Sequence, residues 1–274
     1  MNSSPTRPAI GVFDSGFGGL TVLKELVALI PNADYLYFGD TARLPYGSKS
    51  VETVARYAVE ATHFLEQQGA NLLVIACNSA TALALDQITH AAKVPVTGVV
   101  EPGAEQAAAA SKNRRVVVIG TEATVSSHAY FKALQSRGIE AREKACPLLV
   151  PLVEEGWVDH PVTEQVARIY LQDAFADGFH DADVLVLGCT HYPLIKGLLR
   201  RVAPAHVAIV DSAHSTASAV AVRVGNFSGA GSAENRATPT LKFFATDSVQ
   251  KFQRMGPSFL GHPVNSVEHV DLKE

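Results

Sequence analysis

Short apolar runs alternate with amphipathic stretches along most of the chain. The runs Ala9–Phe13, Tyr35–Phe38, Leu72–Ala76, Val96–Val99, Val116–Gly120, Val184–Leu187, Val207–Val210 and Leu241–Ala245 have strand length. Most are continuously apolar, not alternating. Strands buried on both faces read this way, which is the pattern of a parallel sheet covered by helices. Between them the chain predicts helices over Leu20–Leu29, Val51–Gln68, Ser126–Arg137, Thr163–Asp177, Ser212–Val224 and Ser248–Phe259. Ser50 stands where it can cap the second of these, with Glu52 in its first turn, and Asp211 or Ser212 can cap the fifth. Strand-helix alternation throughout predicts α/β layers joined by right-handed crossovers. One segment breaks the rhythm: Gly225 to Thr240 is rich in Gly, Ser, Ala and Asn and predicts a surface loop.

An internal echo sharpens this picture. Ala55-Arg56 opens a helical stretch leading to Leu72-Leu73-Val74-Ile75-Ala76-Cys77. Ala167-Arg168 opens another leading to Val184-Leu185-Val186-Leu187-Gly188-Cys189. Arg56 and Arg168 are 112 positions apart, and so are Cys77 and Cys189. One ungapped register thus matches a helix start, a strand and a cysteine, which predicts two similar α/β halves, each presenting a thiol at the carboxyl end of a core strand.

Composition narrows the class. The 274 residues suffice for two ordinary domains or one large one, and 47% hydrophobic against 18% charged residues allows a sizeable core. A formal charge of -4 gives no support for a nucleic-acid surface. Three cysteines, Cys77, Cys146 and Cys189, exclude a disulfide framework and point to a reducing compartment. Met1 to Pro8 is polar and lacks the apolar stretch of a secretory signal, and no run reaches the roughly 20 apolar residues that span a bilayer. The expectation is a soluble cytoplasmic protein with no membrane partner.

In open parallel sheets, ligands bind outside the carboxyl ends of the strands. Four such ends carry polar or reactive groups: Asp14-Ser15-Gly16-Phe17-Gly18-Gly19, Gly39-Asp40 running on to Pro45-Tyr46-Gly47-Ser48, Cys77-Asn78-Ser79-Ala80-Thr81, and Gly188-Cys189-Thr190-His191-Tyr192-Pro193. A lone free cysteine usually acts as a small hydrophobe, which is the reading for Cys146 before Pro147. Cys77 and Cys189 differ, because each follows an apolar strand at a predicted helix N-terminus, where the dipole favours a thiolate. A disulfide pair would lack any C-x-x-C motif, and zinc needs more ligands than Cys-x-His plus one Cys. Stereoinversion at a carbon fits better: one thiolate removes a proton from one face and the opposite thiol returns one to the other. The glycine-rich start matches neither G-x-G-x-x-G nor a P-loop, and Asp14 at its head would repel a phosphate. Its glycines suit a tight turn and close approach to a small carboxylate, leaving Asp14 for an ammonium or for proton exchange with a thiol.

These motifs resemble the glutamate racemase family, the cofactor-independent enzymes of the aspartate/glutamate racemase superfamily. The matching pieces are Ile10 to Val22, Gly39 to Gly47, Ala76 to Thr81, Cys146 to Glu154 and Leu187 to Leu194, in family order over roughly the first 200 residues. The resemblance implies interconversion of L- and D-glutamate, supplying D-glutamate for bacterial peptidoglycan, without pyridoxal phosphate or metal. It implies Cys77 and Cys189 as the two acid/bases, with Asp14 and His191 as their helpers and Glu154 as a second acidic residue close by. It also implies substrate contacts from Asp14, Ser15, Tyr46, Gly47, Asn78, Ser79, Thr81, Thr121, Thr190 and His191. Ser79 replaces a threonine often found there but keeps the hydroxyl. The implied architecture is two pseudo-symmetric α/β domains with mostly parallel central sheets, residues 1–97 plus 209–274 and residues 98–208, with the active site in the cleft between them. Family members form dimers, so a homodimer is expected. Some also restrain DNA gyrase, although no residue here identifies a gyrase-contacting surface.

Overall fold

The computed structural model describes residues 7–227 and 238–272. Most of the loop expected over Gly225 to Thr240 lies outside the described residues. Among the described residues, ten strands form two all-parallel sheets. They are β1 (Ala9–Asp14), β2 (Asp34–Gly39), β3 (Leu72–Ile75), β4 (Val96–Gly98), β5 (Arg115–Gly120), β6 (Glu140–Ala145), β7 (Val184–Gly188), β8 (Ala208–Asp211), β9 (Leu241–Ala245) and β10 (Glu268–His269). The first sheet runs β10-β9-β2-β1-β3-β4 and the second β6-β5-β7-β8.

The order β2-β1-β3-β4 in one sheet is the order β6-β5-β7-β8 in the other. The strands that lead to the two cysteines, β3 and β7, therefore occupy equivalent places, paired with β1 and β4 and with β5 and β8. This is the pseudo-symmetry that the 112-residue register implies. Their apolar side chains are buried on both faces, which requires helices on both sides. Strand β8 pairs with β7 through Asp211, so the second sheet runs past the expected boundary at 208/209.

The halves are joined by shared packing. Helix Ser212–Phe227 lies against helix Leu20–Leu29 and against helix Val100–Ala110. One continuous apolar cluster contains Ile10, Val12 and Leu23 from the first half and Val117, Leu185 and Leu187 from the second. Asp211 caps the linking helix through the His214 N–H at 3.2 Å, and Ser50 caps helix Val51–Gln67 through the Thr53 N–H at 3.3 Å.

Several elements depart from the hydrophobic pattern. Helices Asn78–Ala91 and Val100–Ala110 were not marked by it, being alanine-rich with a weak apolar stripe. The expected helix Ser126–Arg137 is two helices, Glu122–Ser126 and Ala129–Gln135, because His128 between them adopts a left-handed conformation with φ 56°. Strand β6, Glu-Ala-Arg-Glu-Lys-Ala, has no apolar run because it is the edge of its sheet, where charged side chains reach water.

Gly39 ends β2 directly beneath the loop that follows β1. A Cβ there would stand 2.3 Å from the Gly16 carbonyl oxygen, which is backbone and cannot swing aside. Gly39→Ala should destabilise the fold by roughly 1–3 kcal/mol, as overpacking does. Calorimetry should show a melting point lowered by several degrees, and an unchanged one would refute this account of the contact.

Candidate active site

The carboxyl ends of strands from both sheets open on one cavity of about 180 Å³. From the first sheet, Ser15 follows β1, Tyr46 and Gly47 follow β2, and Cys77, Asn78 and Ser79 follow β3. From the second, Thr121 follows β5, Glu154 follows β6, and Cys189, Thr190 and His191 follow β7. All are residues named from the sequence. Both cysteine side chains are buried, at 5% exposure each, yet each faces the cavity.

Thr81 is placed elsewhere. Its hydroxyl donates to the Ile75 carbonyl at 2.9 Å and accepts from the Val99 N–H at 3.4 Å, so it ties helix Asn78–Ala91 to β3 and β4 and does not line the cavity. Asp14 does not line it either, but sits just beneath. Its Oδ2 accepts the Gly16 N–H at 2.9 Å, while Oδ1 is buried with no hydrogen-bond partner among the described residues. An unpartnered buried carboxylate oxygen carries a desolvation penalty that an arriving cation would relieve.

The two thiols have different surroundings. Cys77 is the N-cap of helix Asn78–Ala91: its sulfur accepts the Ala80 N–H at 3.4 Å and lies 3.5 Å from the Ser15 hydroxyl. The N-terminal position expected from the sequence is therefore present. It does not prevail electrostatically, because burial and then the neighbouring Asp14 push this thiol up to about 12. Cys189 lies at the end of β7, but a 3-10 turn, Tyr192–Ile195, follows instead of an α-helix, so the expected helix dipole is not what serves it. Its neighbour is His191, with Nδ1 4.0 Å from the sulfur and Nε2 3.3 Å from Glu154 Oε1. Burial alone would lower His191. The hydrogen bonds with Cys189 and Glu154, and the negative charge those partners carry when ionised, outweigh burial and push it up to about 10. Glu154 answers in the opposite sense: burial would raise it, but His191 and Lys251 hold it below the usual carboxylate range.

Residues outside the named set complete the walls. Glu122 beside Thr121, and Pro147, Val150 and Pro151 beyond β6, border the cavity. Tyr130 donates to Asn78 Oδ1 at 2.8 Å, so a buried tyrosine of one half orients an amide of the other. Ser79 and Thr121 share a hydroxyl-hydroxyl bond of 2.9 Å across the same divide. No periodicity marks these partners, because they meet only once the halves dock. Gly18 is set by the same docking: a Cβ there would lie 2.3 Å from Thr190 Oγ1 and 2.6 Å from the His191 ring. Cys146 keeps its structural reading, fully buried, with its carbonyl accepting from the Tyr192 hydroxyl at 2.9 Å. Among the described residues, no cluster of three or more His, Cys, Asp or Glu side chains could hold a metal ion.

Two thiols, one following a strand of each of two similar parallel sheets, border one cavity, each with an acid or base neighbour. The sequence pattern of the family described as Asp/Glu/Hydantoin racemase matches residues 10–220, and the chain belongs to that family. A glutamate racemase of Koribacter versatilis is 65% identical, over 98% of this chain and 99% of that protein. Among solved structures, a glutamate racemase isoform of Bacillus anthracis superposes with a TM-score of 0.89 at 37% identity, covering 97% of this chain and 98% of that one. The Francisella tularensis glutamate racemase, in complex with D-glutamate, gives a TM-score of 0.88 at 35% identity, covering 97% and 98%.

The opposite shifts of His191 and Glu154 set a pH window for stability. His191 is raised, so its contribution is complete below about pH 6.5 and is lost as pH rises through about 10. Glu154 is lowered, so its contribution is complete above about pH 4.5 and is lost as pH falls through its depressed value. Denaturant titrations should therefore show His191→Asn less stable than the parent at pH 6, with the gap closing by pH 10.5. A gap that widens with pH would contradict the assignment.

Proposed function

We propose that the chain interconverts L- and D-glutamate by a two-base cysteine mechanism. The observation that carries this reading is a single small cavity bordered by Cys77 from one sheet and Cys189 from the other. One thiolate takes the α-proton: the Cα–H bond breaks and an S–H bond forms. The opposite thiol then gives its proton to the other face of the same carbon, and the reverse substrate uses the pair with exchanged roles. The unpartnered oxygen of Asp14 suits the substrate ammonium, and that cation would also ease ionisation of Cys77, which Asp14 otherwise opposes. Ser15, Asn78, Ser79, Thr121 and Thr190 supply hydroxyl and amide groups for the two carboxylates. Burial of the cavity strengthens these contacts and keeps water from competing for protons.

Glutamate is favoured as substrate by the similarity to glutamate racemases and by the D-glutamate complex of the Francisella tularensis protein. The same reading makes the enzyme free of pyridoxal phosphate and metal, cytoplasmic, homodimeric and a source of D-glutamate for peptidoglycan. No nucleic-acid or membrane partner belongs to it, and no residue assigns a contact with DNA gyrase. Among the described residues, no helix is long and apolar enough to cross a membrane. We take the domains as a first one built from both chain ends and a second from the middle, dividing after Asp211 on the extent of β8.

Pure protein incubated with L-glutamate and no added cofactor should lose its circular dichroism signal as the enantiomers equalise; a constant signal would sink the proposal. Cys77→Ala and Cys189→Ala should each lose racemisation in both directions by several orders of magnitude, since each thiol serves in every turnover. Sustained turnover by either variant would refute the two-base scheme.

A further inference from the structure

Lys251 belongs to none of the motifs and does not border the cavity. It lies on helix Val249–Leu260, which follows β9 in the first half. Its Nζ is nevertheless 3.0 Å from Glu154 Oε2, on a helix of the second half. The other oxygen of Glu154 is 3.3 Å from His191 Nε2, and His191 Nδ1 is 4.0 Å from Cys189 Sγ. A continuous line of polar contacts thus runs from a first-half cation to the second-half thiol. The ammonium also stands 5.3 Å from the centroid of the Phe17 ring, which itself packs 6.1 Å from the His191 ring.

We infer that Lys251 is a positioning residue for Cys189, acting through Glu154 and His191. This rests on the racemase reading and deepens it. Glu154 borders both the small cavity and a wider cleft of about 790 Å³ behind it, so an untethered carboxylate could turn to water there. The ion pair engages one oxygen and leaves the other directed at Nε2. Nε2–H then donates to Glu154, and Nδ1 becomes the ring atom that exchanges a proton with the sulfur. A carboxylate partner fixes an imidazole in this way wherever one ring nitrogen must face a reacting group. The contact also crosses between the halves, so this arrangement of Cys189 requires the docked form. Among the described residues, the groups facing the Cys77 sulfur are the Ser15 hydroxyl, the Ala80 N–H and Asp14, not a chain of this kind.

The test follows from the equal free energies of the two enantiomers. Their equilibrium constant is unity, so kcat/KM must fall by the same factor in both directions. Lys251→Met should lower it about five- to tenfold, the effect of one partly exposed charge-assisted hydrogen bond, through kcat with KM little changed. The step at Cys189 should become more limiting. With α-deuterated substrate, the isotope effect on kcat/KM should rise for the enantiomer that Cys189 deprotonates and fall towards one for the other. Lys251→Arg should restore both quantities. Nitrogen chemical shifts of His191 give a readout that needs no turnover, and they should move in Lys251→Met and return in Lys251→Arg. Parental kcat/KM in Lys251→Met, a loss with unaltered isotope effects, or unmoved His191 shifts would each overturn the inference. An inactive parent would instead overturn the racemase reading, and the His191 shifts would still decide the role of Lys251.

Discussion

The repeated strand order governs everything else. In β2-β1-β3-β4, and again in β6-β5-β7-β8, the chain leaves the first strand in one direction and returns to build in the other. The carboxyl ends of the two strands flanking that reversal are left with a crevice between their connections. Asp14 ends β1, and Cys77 follows β3; Thr121 follows β5, and Cys189 follows β7. The reactive groups therefore stand at the switch points of their sheets. Docking sets one switch point against the other, and a cavity bordered by a thiol from each follows from topology before any fine positioning.

That docking is maintained by contacts too specific to vary freely. Gly18 has no room for a methyl group against Thr190 and His191. The Thr21 hydroxyl donates to the Thr190 carbonyl at 3.1 Å. Tyr130 holds Asn78, and Ser79 meets Thr121. Each of these pairs joins the two halves at the wall of the cavity, so the geometry of the site and the packing of the domains are one property. A substitution far from substrate, if it shifts the docking, should disturb the placement of one thiol relative to the other.

What was legible in the sequence follows the same division. Strands buried on both faces leave continuous apolar runs, so β1, β3, β5 and β7 could be read directly, together with the shared register of Cys77 and Cys189. Strand β6 could not, because an edge strand keeps its charges. The break at His128 could not either, since a left-handed residue leaves no mark on hydrophobic periodicity. Thr81 shows the limit of motif reasoning: it stands one helical turn beyond Asn78, close to the site in sequence, but its hydroxyl is spent on the backbone of β3. Lys251 shows the converse. It is far from every motif and half-exposed, and only the folded chain brings it to Glu154.

The pseudo-symmetry stops at the sulfurs. Cys77 has the buried carboxyl group of Asp14 beside it; Cys189 has His191, backed by Glu154 and Lys251. A reversible reaction between enantiomers requires only that the complete path be the same in both directions, so the half-reactions need not match. On one side burial and Asp14 push the thiol up; on the other an imidazole held by Glu154 stands beside the sulfur. On the two-base reading proposed above, the protons that the thiols must exchange between turnovers pass through the groups beside them, Asp14 at Cys77 and His191 at Cys189, and those neighbours differ between the two halves.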